Sequence, residues 1–324
     1  MTIFSSLLNS AAIMAAEFIP GNAAFPGLLR AGSSAAAPAE PPPEPEPESP
    51  VPPVSETYRL HRRFDRMGRL VGDGGMQRLF ASHVMVVGLG GVGSWAAESL
   101  VRSGVGAITI VDFDLVCVTN ANRQLHAMRG TTGKPKCDVM AERLRLINPR
   151  CEVRSERVFY NASTSEALLG ASDEPSPDLV VDAIDNLNAK THLINTCRAR
   201  GIPLVVSGGA SGRMDPTKIR ESDLARVRDD PFLAATRKLL RKRYEFPRGD
   251  RPWGITAIHS LEPAADPISL HYDEGQGFRC VCPQGNNGMH SCDRRNVIYG
   301  TASFVTGTFG LACAAAAVRL LLAE

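Results

Sequence analysis

No two cysteines in this chain stand in a Cys-x-x-Cys pair. Eight cysteines in 324 residues are also too few for a disulfide scaffold, so a reducing compartment is expected. No apolar run is clean enough to predict a membrane span. The nearest, residues 302–323, carries Arg319, two glycines and many alanines, which suit a buried helix better. Residues 1–16 are uncharged, but they lack the basic start and continuous apolar core of a secretory signal. Arginine is too scarce there for an ordinary transit peptide, with Arg30 the single basic residue among the first 57. The expected location is cytoplasmic, or organellar (mitochondrion or plastid) if the N-terminal extension targets. No internal repeat is found.

Hydrophobic residues make up 44% of the chain and charged residues 22%, enough for an ordinary globular core. The first 57 residues stand apart. Residues 33–53 are almost wholly Ala, Pro, Glu and Ser, which cannot bury apolar surface, so 1–57 is predicted to be a disordered extension. That extension holds six acids (Glu17, Glu40, Glu44, Glu46, Glu48, Glu56) against Arg30. The whole chain is +2, so residues 58–324 carry +7. A basic folded part fits a polyanionic partner, or simply a solvated surface.

Strand and helix signals alternate after the extension. Val84–Val87 reads as a buried strand, then Gly88-Leu-Gly-Gly-Val-Gly93, then a helix from Ser94 to Val101. A second strand, Ala107–Val111, leads to Asp112-Phe-Asp114. Lys136–Ile147 has apolar residues at helical spacing and ends at Asn148-Pro149. Strands over Glu152–Val158, Leu179–Ile184 and Pro203–Ser207 come next, with a helix over Ala189–Arg200. This order predicts an α/β fold: a doubly wound, Rossmann-like, mostly parallel sheet with a less regular C-terminal part. In that part Asp223–Arg243 reads as mostly helical with a break near Pro231. Ligands of such sheets bind at the carboxyl ends of the strands. Those ends carry the glycine loop, Asp112 and Asp114, Asp185-Asn186 and Gly208-Gly209.

The glycine loop, with Gly88, Gly90, Gly91 and Gly93, brings bare backbone and a helix N-terminus to a phosphate. With Asp112 on a ribose, it would serve a nicotinamide oxidoreductase equally well. The next segment departs from that pattern. Asn120-Ala-Asn122-Arg123-Gln124 is succeeded by Gly133-Lys-Pro-Lys136. Two cations here suit a triphosphate, with Arg123 and Lys136 on the phosphate oxygens, and Asp185 is suited to hold Mg²⁺. The alternatives are a surface role for Arg123, a helix-start lysine at 136, and a plain helix cap at Asp185-Asn186.

Residues 58–323 resemble the ThiF/MoeB superfamily, the ubiquitin-activating-enzyme-like adenylyltransferases. Within it they are similar to the tRNA threonylcarbamoyladenosine dehydratase family. The resemblance rests on Gly88-Leu-Gly-Gly-Val-Gly-Ser-Trp-Ala-Ala-Glu98, Cys117-Val-Thr-Asn-Ala-Asn-Arg-Gln124, Asp182-Ala-Ile-Asp185 and Gly208-Gly-Ala210. It implies an adenylation domain over 58–324 with a C-terminal tRNA-contacting part. ATP and Mg²⁺ would be its cofactors and tRNA its substrate, with a homodimer and a possible sulfur-transfer protein as partners. It further implies that Gly91 lies on the phosphates, Asp112 holds the ribose, Arg123 and Lys136 the triphosphate, and Asp185 the Mg²⁺, with Asn186 beside the nucleotide. Arg63 or Arg66 would reach the partner subunit's site. The implied reaction adenylates the threonyl carboxylate of N6-threonylcarbamoyladenosine and then closes a ring with net loss of water. Adenylation of a ubiquitin-like or sulfur-carrier protein C-terminus is the alternative.

Two departures from the resemblance stand out. The zinc-binding Cys-x-x-Cys pairs of sulfur-carrier activators are missing, and Cys280, Cys282, Cys292 and His290 are irregularly spaced for that metal. Bacterial dehydratases tend to carry a cysteine where this chain has Ala257, which excludes a thioester at that position. The basic segment from Arg226 to Arg243, with Arg237, Lys238, Arg241 and Lys242, is the expected contact for tRNA phosphates.

Overall fold

The structure is a computed structural model that describes residues 61–171, 175–270 and 299–323. The N-terminal extension and the expectations for Cys280, Cys282, Cys292 and His290 lie outside these residues. The sheet has seven strands: β1 (His83–Val87), β2 (Ala107–Val111), β3 (Glu152–Glu156), β4 (Leu179–Asp182), β5 (Leu204–Ser207), β6 (Ile219–Asp223) and β7 (Thr256–Ser260). Their order is β3-β2-β1-β4-β5-β7-β6. All neighbours are parallel except β6, which pairs antiparallel with β7 and ends the sheet. The chain reverses its direction of travel across the sheet between β1 and β4, so the loops after these strands frame one crevice.

Alternation along the strands assigns the two faces. Val84 and Val86 of β1, Ile108 and Ile110 of β2 and Val181 of β4 join one buried cluster. Over it lie α1 (Asp65–Ala81), α2 (Gly93–Arg102), α3 (Lys136–Ile147) and α7 (Ser303–Leu322). Met85, Val87, Val180, Val206 and Ala257 face the other way, under α4 (Ala162–Leu169), α5 (Leu187–Arg200) and α6 (Pro231–Arg243). Successive strand residues point to opposite faces, so a near-continuous apolar strand needs a helical layer on each side. Helix α7 is long and apolar enough to cross a membrane, yet Val305, Phe309, Cys313, Ala316 and Ala317 are buried in the first cluster. Burying Phe309 alone contributes about 1.5–3 kcal/mol.

One expectation changes in the C-terminal part. Asp223–Arg243 is not one broken helix: Asp223 ends β6, Leu224–Arg226 forms a 3₁₀ turn, and α6 starts at Pro231. Proline lacks an N–H that the first helical turn does not need, so it opens this helix rather than breaking one. The Asp230 carboxylate caps it, accepting from the Leu233 N–H at 2.9 Å. Ala257 is fully buried in β7 and packs in the second core cluster. A side chain there faces the core, away from any ligand in the crevice.

Candidate active site

The loop after β1 is shaped by its own backbone. Gly88 has φ +92°, and a Cβ on Gly93 would sit 1.7 Å from the Gly88 carbonyl oxygen, so neither position admits a side chain. A Cβ on Gly90 would meet nothing within 4 Å, which leaves room for a ligand against the chain. Ser94, the second residue of α2, is buried and donates its hydroxyl to the Gly90 carbonyl at 2.8 Å. Gly91 lies beneath the Arg123 side chain, whose Cγ would be 3.1 Å from an added Cβ.

Asp112 lies just beyond β2 and clasps this loop. Its Oδ2 accepts from the Leu89 N–H at 2.7 Å and its Oδ1 from the Asp114 N–H at 2.8 Å. Burial pushes its carboxyl pKa up, while the Lys136 ammonium opposes that shift. Lys136 opens α3 and is 5% exposed; its Nζ lies 2.8 Å from Asp114 Oδ2. Burial alone would lower the lysine pKa, but Asp112 and Asp114 outweigh it and hold it above the usual value. Lys136 is thus a fully charged ammonium at the floor of the crevice. Asp185, exposed beyond β4, also contributes to the field on Lys136. Backbone N–H groups, an ammonium and carboxylates thus share one end of the sheet, a set of groups chemically suited to a polyphosphate.

The other expected residues fall into place unevenly. Arg123 is held over the glycine loop by Thr119 O and Asn122 Oδ1, both at 2.9 Å, while the Trp95 indole donates to the Arg123 carbonyl. Asn122 spends its amide on Thr301. Gln124 is buried with its Oε1 3.0 Å from His126 Nε2, so it supports the loop from beneath rather than facing a ligand. Asn186 is the N-cap of α5, accepting from Asn188 and Ala189 N–H groups at 3.0 Å. Arg63 is exposed and donates to the Ile147 carbonyl at the end of α3. Within the basic segment, Lys238 and Lys242 are exposed. Arg241 packs over Trp253 and donates to Pro247 O and Gly249 O, while Arg237 is buried and offers no surface charge.

Lys190 escaped sequence reasoning. It is fully buried on α5, with Nζ 2.9 Å from Asp182 Oδ1. Asp182 Oδ1 also accepts from the Ile184 N–H, so this pair ties the loop that carries Asp185 to the helix behind it. The signal was present: Lys190 interrupts the apolar stripe Ala189, Leu193, Ile194, Cys197, where a solvated lysine has no place.

His126, under the same loop, sets an acid limit. Burial, with Lys136 adding to it, lowers its pKa from 6.5 to about 3. A depressed pKa means that its stabilising contribution is complete above pH 6.5 and is lost as pH falls from there toward 3. The slope is about 1.4 kcal/mol per pH unit. The expected result is a shallower loss of stability in His126→Gln than in the parent over that interval, measured by urea unfolding at a series of pH values.

Residues 64–324 match the ThiF family. The tRNA threonylcarbamoyladenosine dehydratase of Escherichia coli K12 is 38% identical over 272 residues, which span 84% of this chain and 97% of that protein. Its counterpart in Bacillus subtilis 168 is 44% identical over 183 residues, 56% of this chain and 70% of that one. The crystal structure of E. coli tRNA N6-threonylcarbamoyladenosine dehydratase, TcdA, in complex with ATP superposes with a TM-score of 0.69 at 36% identity. It covers 83% of this chain and 97% of that chain. With the glycine loop, Asp112, Arg123 and Lys136 drawn to one crevice, the chain belongs to the ThiF family.

Proposed function

We propose that this protein is an ATP-dependent tRNA threonylcarbamoyladenosine dehydratase. The observation that carries the reading is the buried Lys136 ammonium at the carboxyl end of the sheet, in the field of Asp112, which clasps a glycine loop with open space at Gly90. ATP would lie with its ribose toward Asp112 and its phosphates along Gly88–Gly93. Arg123 and Lys136 would offset the charge that accumulates on the leaving pyrophosphate. A threonyl carboxylate oxygen attacks the α-phosphorus, the bond to pyrophosphate breaks, and an acyl-adenylate forms. An atom of the neighbouring urea then attacks the acyl carbon, and AMP leaves with the oxygen that the carboxylate lost. Ring closure within one substrate needs positioning more than a protein nucleophile, in keeping with a core alanine at 257.

Mg²⁺ would be held by Asp185, whose exposed carboxylate beyond β4 is a hard oxygen ligand, and would supply charge neutralisation on the phosphates. A homodimer is part of the reading, with Arg63 or Arg66 crossing to the partner. Its support is the outer face of α7, where Phe304 and Leu311 are about half exposed. A sulfur-transfer protein is a further proposed partner, on the resemblance alone.

The test supplies purified protein, ATP and Mg²⁺ with tRNA bearing N6-threonylcarbamoyladenosine. Nucleoside mass spectrometry should show loss of one water from the modified base, with AMP and pyrophosphate formed in equal amounts. Pyrophosphate release that depends on a carrier protein with a C-terminal Gly-Gly, and leaves the tRNA unchanged, would establish the carrier-activating alternative instead.

A further inference from the structure

Trp95 carries no charge for a phosphate to meet, yet it holds the residue that does. It is the third residue of α2 and is half-buried, and its indole N–H donates to the Arg123 carbonyl at 3.1 Å. An indole N–H withdrawn from water needs an acceptor, and here the acceptor lies in a loop 28 residues further along the chain. On its other side the Arg123 N–H donates to the Asn120 carbonyl at 3.0 Å, so the backbone of Arg123 is tied at both ends. The side chain then starts from a fixed point, and its Nη1 is steered by Thr119 O and Asn122 Oδ1.

Helix α7 makes the slot in which the indole sits. A Cβ added to Gly307 would lie 3.3 Å from both Cδ2 and Cε2 of Trp95, and one added to Gly310 would lie 2.7 Å from Trp95 Cβ. Two bare positions one turn apart let α7 and α2 approach until the ring lies against helix backbone. The same region reaches Arg123 by two further routes. Thr301, just before α7, accepts from the Asn122 amide whose oxygen orients the guanidinium. Thr306 Cβ and Arg123 Cγ both close on Gly91, at 3.2 and 3.1 Å from a Cβ added there. Filling a slot over two glycines calls for a flat ring and does not call for an N–H. The N–H is what joins the slot to the crevice.

We propose that Trp95 is a positioning residue for adenylation. Seated against Gly307 and Gly310, its indole N–H fixes the Arg123 carbonyl and so aims the guanidinium over the glycine loop before ATP arrives. This rests on Arg123 holding the ATP phosphates in the proposed reaction. A long side chain left to search its rotamers would have to be ordered by the nucleotide itself, at the expense of binding and of alignment with the leaving pyrophosphate. An anchored backbone supplies part of that order beforehand.

Trp95→Phe keeps an aromatic ring in the slot and removes the N–H. Full-length Trp95→Phe, Arg123→Ala and the double variant are compared with the parent in ATP–pyrophosphate exchange, with tRNA bearing N6-threonylcarbamoyladenosine. Affinities for ATP and AMP and thermal unfolding are measured alongside. In Trp95→Phe, kcat/KM for ATP should fall about 10- to 100-fold, the scale on which a displaced group acts. ATP affinity should fall with it, while AMP affinity and Tm stay at the parent's values, because AMP has no β- or γ-phosphate for Arg123 to hold. The double variant should bind ATP as Arg123→Ala does, since without the guanidinium there is nothing left to aim. Gly307→Ala, whose added methyl group presses on the ring with Trp95 still in place, should lower exchange in the same direction by a smaller factor. ATP and AMP affinities falling in parallel would mark a ring that only packs and would overturn the proposal. So would exchange at the parent's rate in Trp95→Phe, or a further loss of ATP affinity in the double variant. Exchange at the parent's rate in Arg123→Ala would instead overturn the phosphate role of Arg123, and this inference with it.

Discussion

Lys136→Ala is expected to lower ATP–pyrophosphate exchange by on the order of a thousandfold, the scale on which a preorganised charge at a transition state acts. The ammonium is desolvated and held above its usual pKa, so it meets developing phosphate charge without first shedding water. The same mutation also removes the cation that offsets Asp112 and Asp114, so a loss of about 1–3 kcal/mol in stability accompanies the loss of turnover. Adding Asp114→Asn separates the two effects. The double variant should regain most of its Tm, since one of the stranded carboxylates is gone, and should remain inactive. Exchange close to the parent's in Lys136→Ala would remove the adenylation assignment outright.

Lys190→Met should cost more stability than any surface change, about 3–5 kcal/mol, because it leaves Asp182 in the core with no cation beside it. Burial already pushes the Asp182 carboxyl up, with Lys190 opposing, so the variant raises that pKa further. A raised carboxyl pKa reverses the ordinary acid response. Relative to the parent, the deficit should be smallest below the unfolded carboxyl value near 3.8 and should grow as pH rises through the folded value. Asp182→Asn in the same background should recover part of the loss. Urea titrations at several pH values measure both effects, and a pH-independent deficit would mean that Asp182 ionises freely without its partner.

The nucleotide-binding half of the fold is legible in the sequence because its signals are local. β1, β2, α3 and the loops at their ends are apolar runs, a glycine loop and a helix closed by Asn148-Pro149. The helix over Lys136–Ile147 has the bounds its apolar spacing predicts. What the sequence hid were relations between distant segments. β6 and β7 are separated by more than thirty residues, and their pairing is antiparallel in a sheet otherwise parallel. Gln124 stands beside Arg123 in the chain, yet it turns inward because His126 two residues on takes its side chain. Arg237 reads as one of four surface cations, yet its side chain is buried on α6. No local pattern distinguishes it from Lys238.

The position of α7 carries a consequence for synthesis. This last described helix packs against α2, β4, β5 and β7, in the middle of the first core cluster rather than at its rim. While residues beyond about 300 are still within the ribosome, a nascent sheet would show that apolar face to solvent. Early strands and helices can pair as they emerge, but the nucleotide loop above α2 gains its backing only once α7 has emerged. Chaperone dependence should therefore concentrate in the interval before α7 emerges, and loss of a few turns of this helix should be far more damaging than their distance from the crevice suggests.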